Sequence, residues 1–248
     1  MAPVARGLSR HCRVLEPFQR RSGGPAPLTV AQHVADLAEV VEDLGSAASP
    51  ILVGSSWGAM LALAYGAAHP NGIAGLALIG CGTFDHWARA ELEEEVRRRI
   101  DPATAAQLAA IAGRIKDPDA RLRARAEILL PCYCHDPITL DFEDEVVDAR
   151  AHEETWGDML RQQEAGVYPA AFAAISSPVL MLHGKQDPHP GRRVRGSLLR
   201  YLPQLEYIEW DDCGHYPWLE RAVGEEFFST LEQWVSRVGQ DSGKADVI

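Results

Sequence analysis

The chain has 248 residues, 46% hydrophobic and 24% charged, with 24 Lys and Arg against 35 Asp and Glu for a formal charge of −11. That balance is an ordinary globular one and excludes collagen-like, disordered and disulfide-scaffold classes. The acidity disfavours phosphate backbones and anionic headgroups, and no apolar run reaches the ~20 residues of a spanning helix, so neither a nucleic-acid nor a membrane partner is expected.

The first fifteen residues carry Arg6, Arg10 and Arg13 ahead of the first acid, Glu16. This is a faint likeness to a transit peptide, without the apolar core of a secretory leader. Residues 11–18 read as a short strand with Val14, Leu15 and Phe18 as its apolar members, and residues 19–27 read as a loop. Thr29 is placed to cap a helix whose apolar positions are Val30, Val34, Leu37, Val40, Val41 and Leu44, with Gly45 as the stop. A brief apolar strand at 51–53, a tight turn from Gly54 to Gly58, an alanine-rich helix ending near His69, and a buried strand at 73–79 follow. Such strand–helix–strand alternation is the mark of a parallel α/β sheet.

The alternation stops between about Asp85 and Ala173, where charged helices are expected at 89–100, 104–115, 120–130 and 142–164. It resumes with a strand at 178–182, a helix at 192–201, a strand at 205–210 and a closing helix at 222–238. The expected organisation is therefore a first core part over 1–84, a helical insert over 85–173, a second core part over 174–238, and a frayed tail over 239–248.

Gly54-Ser55-Ser56-Trp57-Gly58 matches G-x-S-x-G between an apolar strand and a helix. A strand that turns sharply into a helix strains its turn residue and lifts that side chain above the sheet, while glycines on either side admit neighbouring backbone. Ser56 is thereby the candidate nucleophile, and the Trp57 N–H, at the helix N-terminus, is the candidate donor to an oxyanion. A serine hydroxyl needs a base, and the base needs an orienting acid. Asp187, in Gly184-Lys185-Gln186-Asp187-Pro188, and His215, in Cys213-Gly214-His215-Tyr216, follow successive strands in the order Ser, Asp, His. His183 and His189 are read as packing or loop residues beside the acid.

Five scattered cysteines, Cys12, Cys81, Cys132, Cys134 and Cys213, suit thiols kept reduced in a cytosol, giving a cytoplasmic reading. Cys132, Cys134 and His135 lack the second ligand pair that a structural zinc site needs, so no metal is expected. No G-x-G-x-x-G or P-loop pattern calls for an organic cofactor.

With these three motifs in place, the sequence from 11 to 238 resembles the α/β-hydrolase family. Gly54-Ser55-Ser56-Trp57-Gly58 followed by Leu61-Ala62-Leu63-Ala64-Tyr65, and the earlier Gln19-Arg20-Arg21-Ser22-Gly23, are similar to the prolyl aminopeptidase-like serine hydrolases. The resemblance implies an α/β-hydrolase fold, a Ser56–His215–Asp187 triad, and a helical cap over 85–173 that selects a small-molecule substrate. Trp87, Tyr133 and Trp156 would line an apolar pocket under that cap, and Glu153, Glu154 or Asp158 would meet a cationic amine.

The chain also departs from the family pattern. Family members place further strands ahead of the one at His11, and one of them ends in a His-Gly-Gly-type loop that supplies a second oxyanion N–H. Here no such loop precedes Ser56, and residues 3–9 resemble the end of the helix that follows it. In the family's strand order the missing strand lies between the segments at His11 and Ile51, so a gap is expected in the sheet. The favoured expectation is a start codon upstream of Met1; the others are a natural shortened form and a replacement donor from Gly23-Gly24. The function expected is cleavage of an ester, amide or related acyl bond through an acyl-Ser56 intermediate. Its rival is a non-catalytic or impaired binding protein that lacks a complete oxyanion hole.

Overall fold

The computed structural model describes residues 1–45, 49–139, 146–241 and 246–248. Four parallel strands, β1 (Ile51–Ser55), β2 (Gly75–Ile79), β3 (Val179–Gly184) and β4 (Leu205–Trp210), pair side by side in chain order. Val53 lies opposite Ala77, Ala77 opposite Leu180, and Leu180 opposite Glu206. Every residue of β2 and β3 is buried, as covered sheet faces require. Strand alternation sends Leu76, Leu78, Val179 and Met181 into one core, and Ala77, Ile79, Leu180 and Leu182 into the other.

The first core is closed by α2 (Val30–Asp43), α3 (Trp57–Ala68) and α8 (Gly191–Leu199), through Val34, Leu63 and Leu198 among others. The second is closed by α1 (Ala2–Leu8) and α9 (Gly224–Asp241), through Leu8, Phe227 and Leu231. Helices on both faces of a parallel sheet make this an α/β fold of the class expected. Thr29 caps α2 as read, its side chain accepting the Gln32 N–H.

Between β2 and β3 lie α4 (His86–Arg99), α5 (Pro102–Arg114), α6 (Pro118–Leu129) and α7 (Ala149–Glu164). Each begins on an aspartate, Asp85, Asp101, Asp117 and Asp148, whose carboxylate accepts an N–H of the first turn. Three of these helices start earlier than the sequence pattern suggests; in α5 and α6 it is because Pro102 and Pro118 occupy first-turn positions where a missing N–H costs nothing. The expected start of the last helix at 142 falls outside the described residues, and α7 itself opens after Asp148.

An acidic stripe on α7 ties the insert to the core. Asp148 accepts from the Ser22 N–H and hydroxyl, Glu154 from the Leu28 N–H at 2.8 Å, and Asp158 from the Val30 N–H at 2.8 Å. These bonds satisfy donors at the entrance of α2, which would otherwise be orphaned. Glu154 and Asp158 are thus engaged in the fold, and not free to receive an amine as the resemblance suggested.

The two ends of the chain depart from the sequence reading. Of the strand expected at 11–18, only Val14 forms a bridge, and its partner is Val247. The tail expected to fray over 239–248 instead continues as α9 to Asp241, and residues 246–248 lie between Val14 and Ile51, parallel to both. Residues 242–245 fall outside the described residues. The gap expected beside Ile51 is filled from the C-terminal end, because β1 presents N–H and C=O groups that need partners in a buried sheet.

Leu180 is 1% exposed at the centre of β3. Leu180→Ala is expected to cost about 2–5 kcal/mol, read as a lower urea midpoint with an unchanged slope.

Candidate active site

The carboxyl ends of the strands position the candidate groups. Ser56 follows β1 with φ 53° and ψ −114°, and is the only non-glycine residue with positive φ among those described. That strained turn is held by the Ser56 N–H donating to the Ile79 carbonyl at 2.8 Å and by the start of α3 one residue later. A Cβ on Gly54 would collide with the backbone of Gly58 and Ala59, so the turn requires glycine there. Gly58 differs from expectation: a Cβ there would meet open space. The Trp57 N–H has no acceptor among the described residues, as the first donor of a helix should when an anion site lies ahead of it.

Asp187 sits in the turn after β3 and His215 in the loop after β4. Their loops interlock: the Gln186 N–H donates to the Cys213 carbonyl at 2.8 Å, and the His215 N–H to the Tyr133 carbonyl at 2.7 Å. Gly184 permits the approach, since a Cβ there would strike the carbonyls of Cys213 and Gly214. His215 Nδ1 lies 2.6 Å from Asp187 Oδ2, with both side chains buried. The His215 ring rests on Gly80, where a Cβ would stand 2.9 Å from Nδ1, and Gly80 follows the residue that accepts the Ser56 N–H. His215 thus lies against the residue next to the one that anchors the Ser56 turn. Among the described residues no hydrogen bond joins the Ser56 hydroxyl to the His215 ring; in unliganded sites such bonds often tighten only when substrate binds.

The sequence reading missed two groups at Asp187. His189 donates its backbone N–H to Oδ1 at 2.9 Å, and its Nδ1 lies 2.9 Å from the same oxygen. Its ring stacks on that of His215 at 4.6 Å. His183 Nε2 reaches the His189 carbonyl at 3.1 Å and stands 3.3 Å from Asp187 Oδ2. Burial opposes ionisation of Asp187, but the histidines around it outweigh that and hold its carboxyl well below the ordinary range. Burial holds His189 below its ordinary value despite the neighbouring carboxylate. The motif Asp187-Pro188-His189 was the available signal, because a side chain two residues beyond an acid can fold back onto it. Glu220 was also missed: its buried carboxylate accepts the N–H groups of Gly214, His135 and Asp136, fastening the His215 loop to the insert.

Asp187, His189 and His215 also form the one group of three ligand-type side chains close enough to share an ion among the described residues. Both carboxylate oxygens already bind ring nitrogens, so an ion would have to displace both hydrogen bonds. Cys132, Cys134 and His135 do not gather into such a group; the Cys134 thiol is pushed up to about 12 by burial.

A cavity of about 420 Å³ opens beside Ser56, lined by Val4, Leu8, Leu37, Val40 and Leu61 together with His33 and Trp57. His33 bonds Thr155 Oγ1 on α7 at 2.9 Å, meets Trp57 edge-on, and is held below its ordinary pKa by burial. Of the three aromatic residues proposed for the pocket, Tyr133 packs edge-on against His215 at 5.6 Å. Trp156 packs into the first core beneath the Arg89 guanidinium. Trp87 is 66% exposed, and none of the three lines the cavity beside Ser56, contrary to expectation. Gly23 and Gly24 do not line it either, so the replacement donor suggested there is not brought to Ser56.

The alpha/beta hydrolase family model matches residues 1–226, and the chain belongs to this family of hydrolases. Among solved structures it is similar to an esterase from Thermogutta terrifontis, at 19% identity and a TM-score of 0.56, over 90% of this chain and 79% of that one. It is likewise similar to a Paleococcus ferrophilus monoacylglycerol lipase, at 20% identity and a TM-score of 0.56, over 90% and 81% of the two chains. A Mycobacterium smegmatis proline iminopeptidase shares the fold at 21% identity and a TM-score of 0.54, over 88% and 75%. No curated protein has a significantly similar sequence.

Gly54→Ala should lower stability by about 1–3 kcal/mol, whereas Gly58→Ala should leave the urea midpoint unchanged or raise it slightly. The pH profile follows from His33 and His189, both held neutral by burial. Below their ordinary value of 6.5 the unfolded chain takes up protons that the folded chain refuses, so stability falls as pH drops through 6.5. Thermal midpoints at pH 7.5 and 5.5 should show that decline, and His33→Gln should reduce it.

Proposed function

We propose that the protein is a serine hydrolase that cleaves an ester or related acyl bond of a small molecule through an acyl-Ser56 intermediate. The observation that carries this reading is the buried 2.6 Å contact between His215 and Asp187 at the rim occupied by the strained Ser56 turn. An ionised carboxylate only accepts hydrogen bonds, so Asp187 draws the His215 proton to Nδ1 and leaves Nε2 with a lone pair. His215 then takes the Ser56 proton as the hydroxyl attacks the acyl carbon, and returns it to the leaving group. The free Trp57 N–H and the N-terminal pole of α3 stabilise the oxyanion. His189 fixes the other carboxylate oxygen, which limits rotation of Asp187.

The apolar cavity beside Ser56 suits an uncharged acyl group of modest size. The insert over 85–173 acts as a cap, contributing Tyr133 against His215. The family match and the esterase and lipase folds among its structural neighbours support acyl chemistry. The five thiols, none of them in a disulfide, suit work in the cytosol. Among the described residues no helix is long and apolar enough to cross a membrane.

One observation favours the rival reading, a binding protein without turnover: residues 246–248 sit beside β1, on the side where the sequence led to the expectation of a gap. A fluorophosphonate probe separates the two. Labelling at Ser56 that Ser56→Ala abolishes is expected of the hydrolase, and a folded, unlabelled chain would end that reading. Asp187→Asn should lower kcat on a p-nitrophenyl ester by a factor on the order of 10⁴ while the chain stays folded.

A further inference from the structure

The C-terminal segment Asp246, Val247 and Ile248 is held as an inserted strand, and the proposed chemistry at Ser56 makes no use of it. On one side the Val247 N–H donates to the Arg13 carbonyl at 2.9 Å, and the Leu15 N–H donates to the Val247 carbonyl at 2.9 Å. On the other side the Ile51 N–H donates to the Asp246 carbonyl at 2.8 Å, the Ile248 N–H to the Ile51 carbonyl at 2.9 Å, and the Val53 N–H to the Ile248 carbonyl at 2.6 Å. The side chains alternate as in a strand: Val247 is 1% exposed in the core with α1 and α9, while Ile248 packs against the opposite core. The Asp246 carboxylate lies 3.8 Å from the Arg13 guanidinium.

The slot is longer than its occupant. Past Leu15 and Val53 its walls continue as Glu16, Pro17, Phe18 and Gln19 on one side and Gly54, Ser55 and Ser56 on the other, and the cavity lies between them. Val247 and Ile248 close the near end of that cavity.

We propose that the channel between residues 13–19 and 51–56 is a strand-acceptor site whose occupant in the intact chain is its own C-terminal segment, acting as a detachable latch. The site takes an extended peptide of the same chemistry in trans: an acid for Arg13, then two branched aliphatic residues for the two core faces. Main-chain bonds along both walls supply affinity, and the alternating side chains supply selectivity. A strand of three residues buries little, so it opens locally at a cost below that of global unfolding. Its release uncovers the edge of β1 and lengthens the cavity beside Ser56. The inference stands apart from the reading of Ser56 as a nucleophile.

The test is a fluorescein-labelled peptide of residues 241–248 titrated by anisotropy against the intact chain and against a variant lacking 246–248. The shortened chain should bind the peptide at least tenfold more tightly than the intact one, whose own segment competes. A peptide with aspartate at the place of Val247 should bind neither. Equal binding to both chains, or none by a folded shortened chain, overturns the proposal. If the shortened chain does not fold, hydrogen exchange on the intact chain decides. The Ile51 and Val53 amides should be protected, and should exchange together with Val247 and faster than the β3 amides. Exchange of all of them at the β3 rate excludes a detachable latch, and unprotected Ile51 and Val53 amides exclude a seated one.

Discussion

A carboxylate sealed from water must have both of its oxygens bonded, and the carboxyl edge of this sheet is organised around meeting that demand for Asp187. His215 takes one oxygen, and the ring and backbone of His189 take the other. Three separate stretches are thereby brought into register: the turn after β3, the loop after β4, and, through the Tyr133 carbonyl, the stretch that follows α6 in the helical insert. An unpaired buried charge would cost several kcal/mol. The arrangement therefore holds as a unit, with the glycines at 80 and 184 providing the space in which the loops meet.

The opposite wall of the site obeys a different constraint. β1 is the edge strand of the four-stranded sheet but is largely buried, so the backbone groups on its outer side must find partners, and they find them in residues 246–248. The same strand ends in the strained Ser56 turn and feeds α3, whose side chains make up much of the first core. Pairing at one end of β1 and geometry at the other are thus mechanically joined. The insert is linked to this wall as well, since Asp148, Glu154 and Asp158 of α7 hold the chain entering α2, and His33 of α2 bridges Thr155 and Trp57.

The strands and helices around Ser56, the position of the insert, and the order of Ser56, Asp187 and His215 were legible in the sequence. They are written in local signals: apolar runs for covered strands, 3.6-residue spacing for helices, and a glycine at the elbow. Other features were not legible. Gly54 and Gly58 are equivalent in the motif, yet only Gly54 faces crowded backbone. Glu154 and Asp158 resemble a solvated helix face, yet they cap donors more than a hundred residues away. Glu220 carries no pattern that declares its carboxylate contacts, and the spacing of His189 from Asp187 does not declare that its ring stacks on His215.

The ends of the chain mark the boundary most plainly. By itself the sequence determined a parallel α/β core, a helical insert and a serine raised at a strand–helix turn, because each of these depends on residues close together along the chain. Only the tertiary structure decided that the last three residues would enter the sheet and that 11–18 would contribute a single bridge. Strand pairing depends on which backbone edges are left open after everything else has packed, and that is a property of the assembled sheet, invisible in either segment alone.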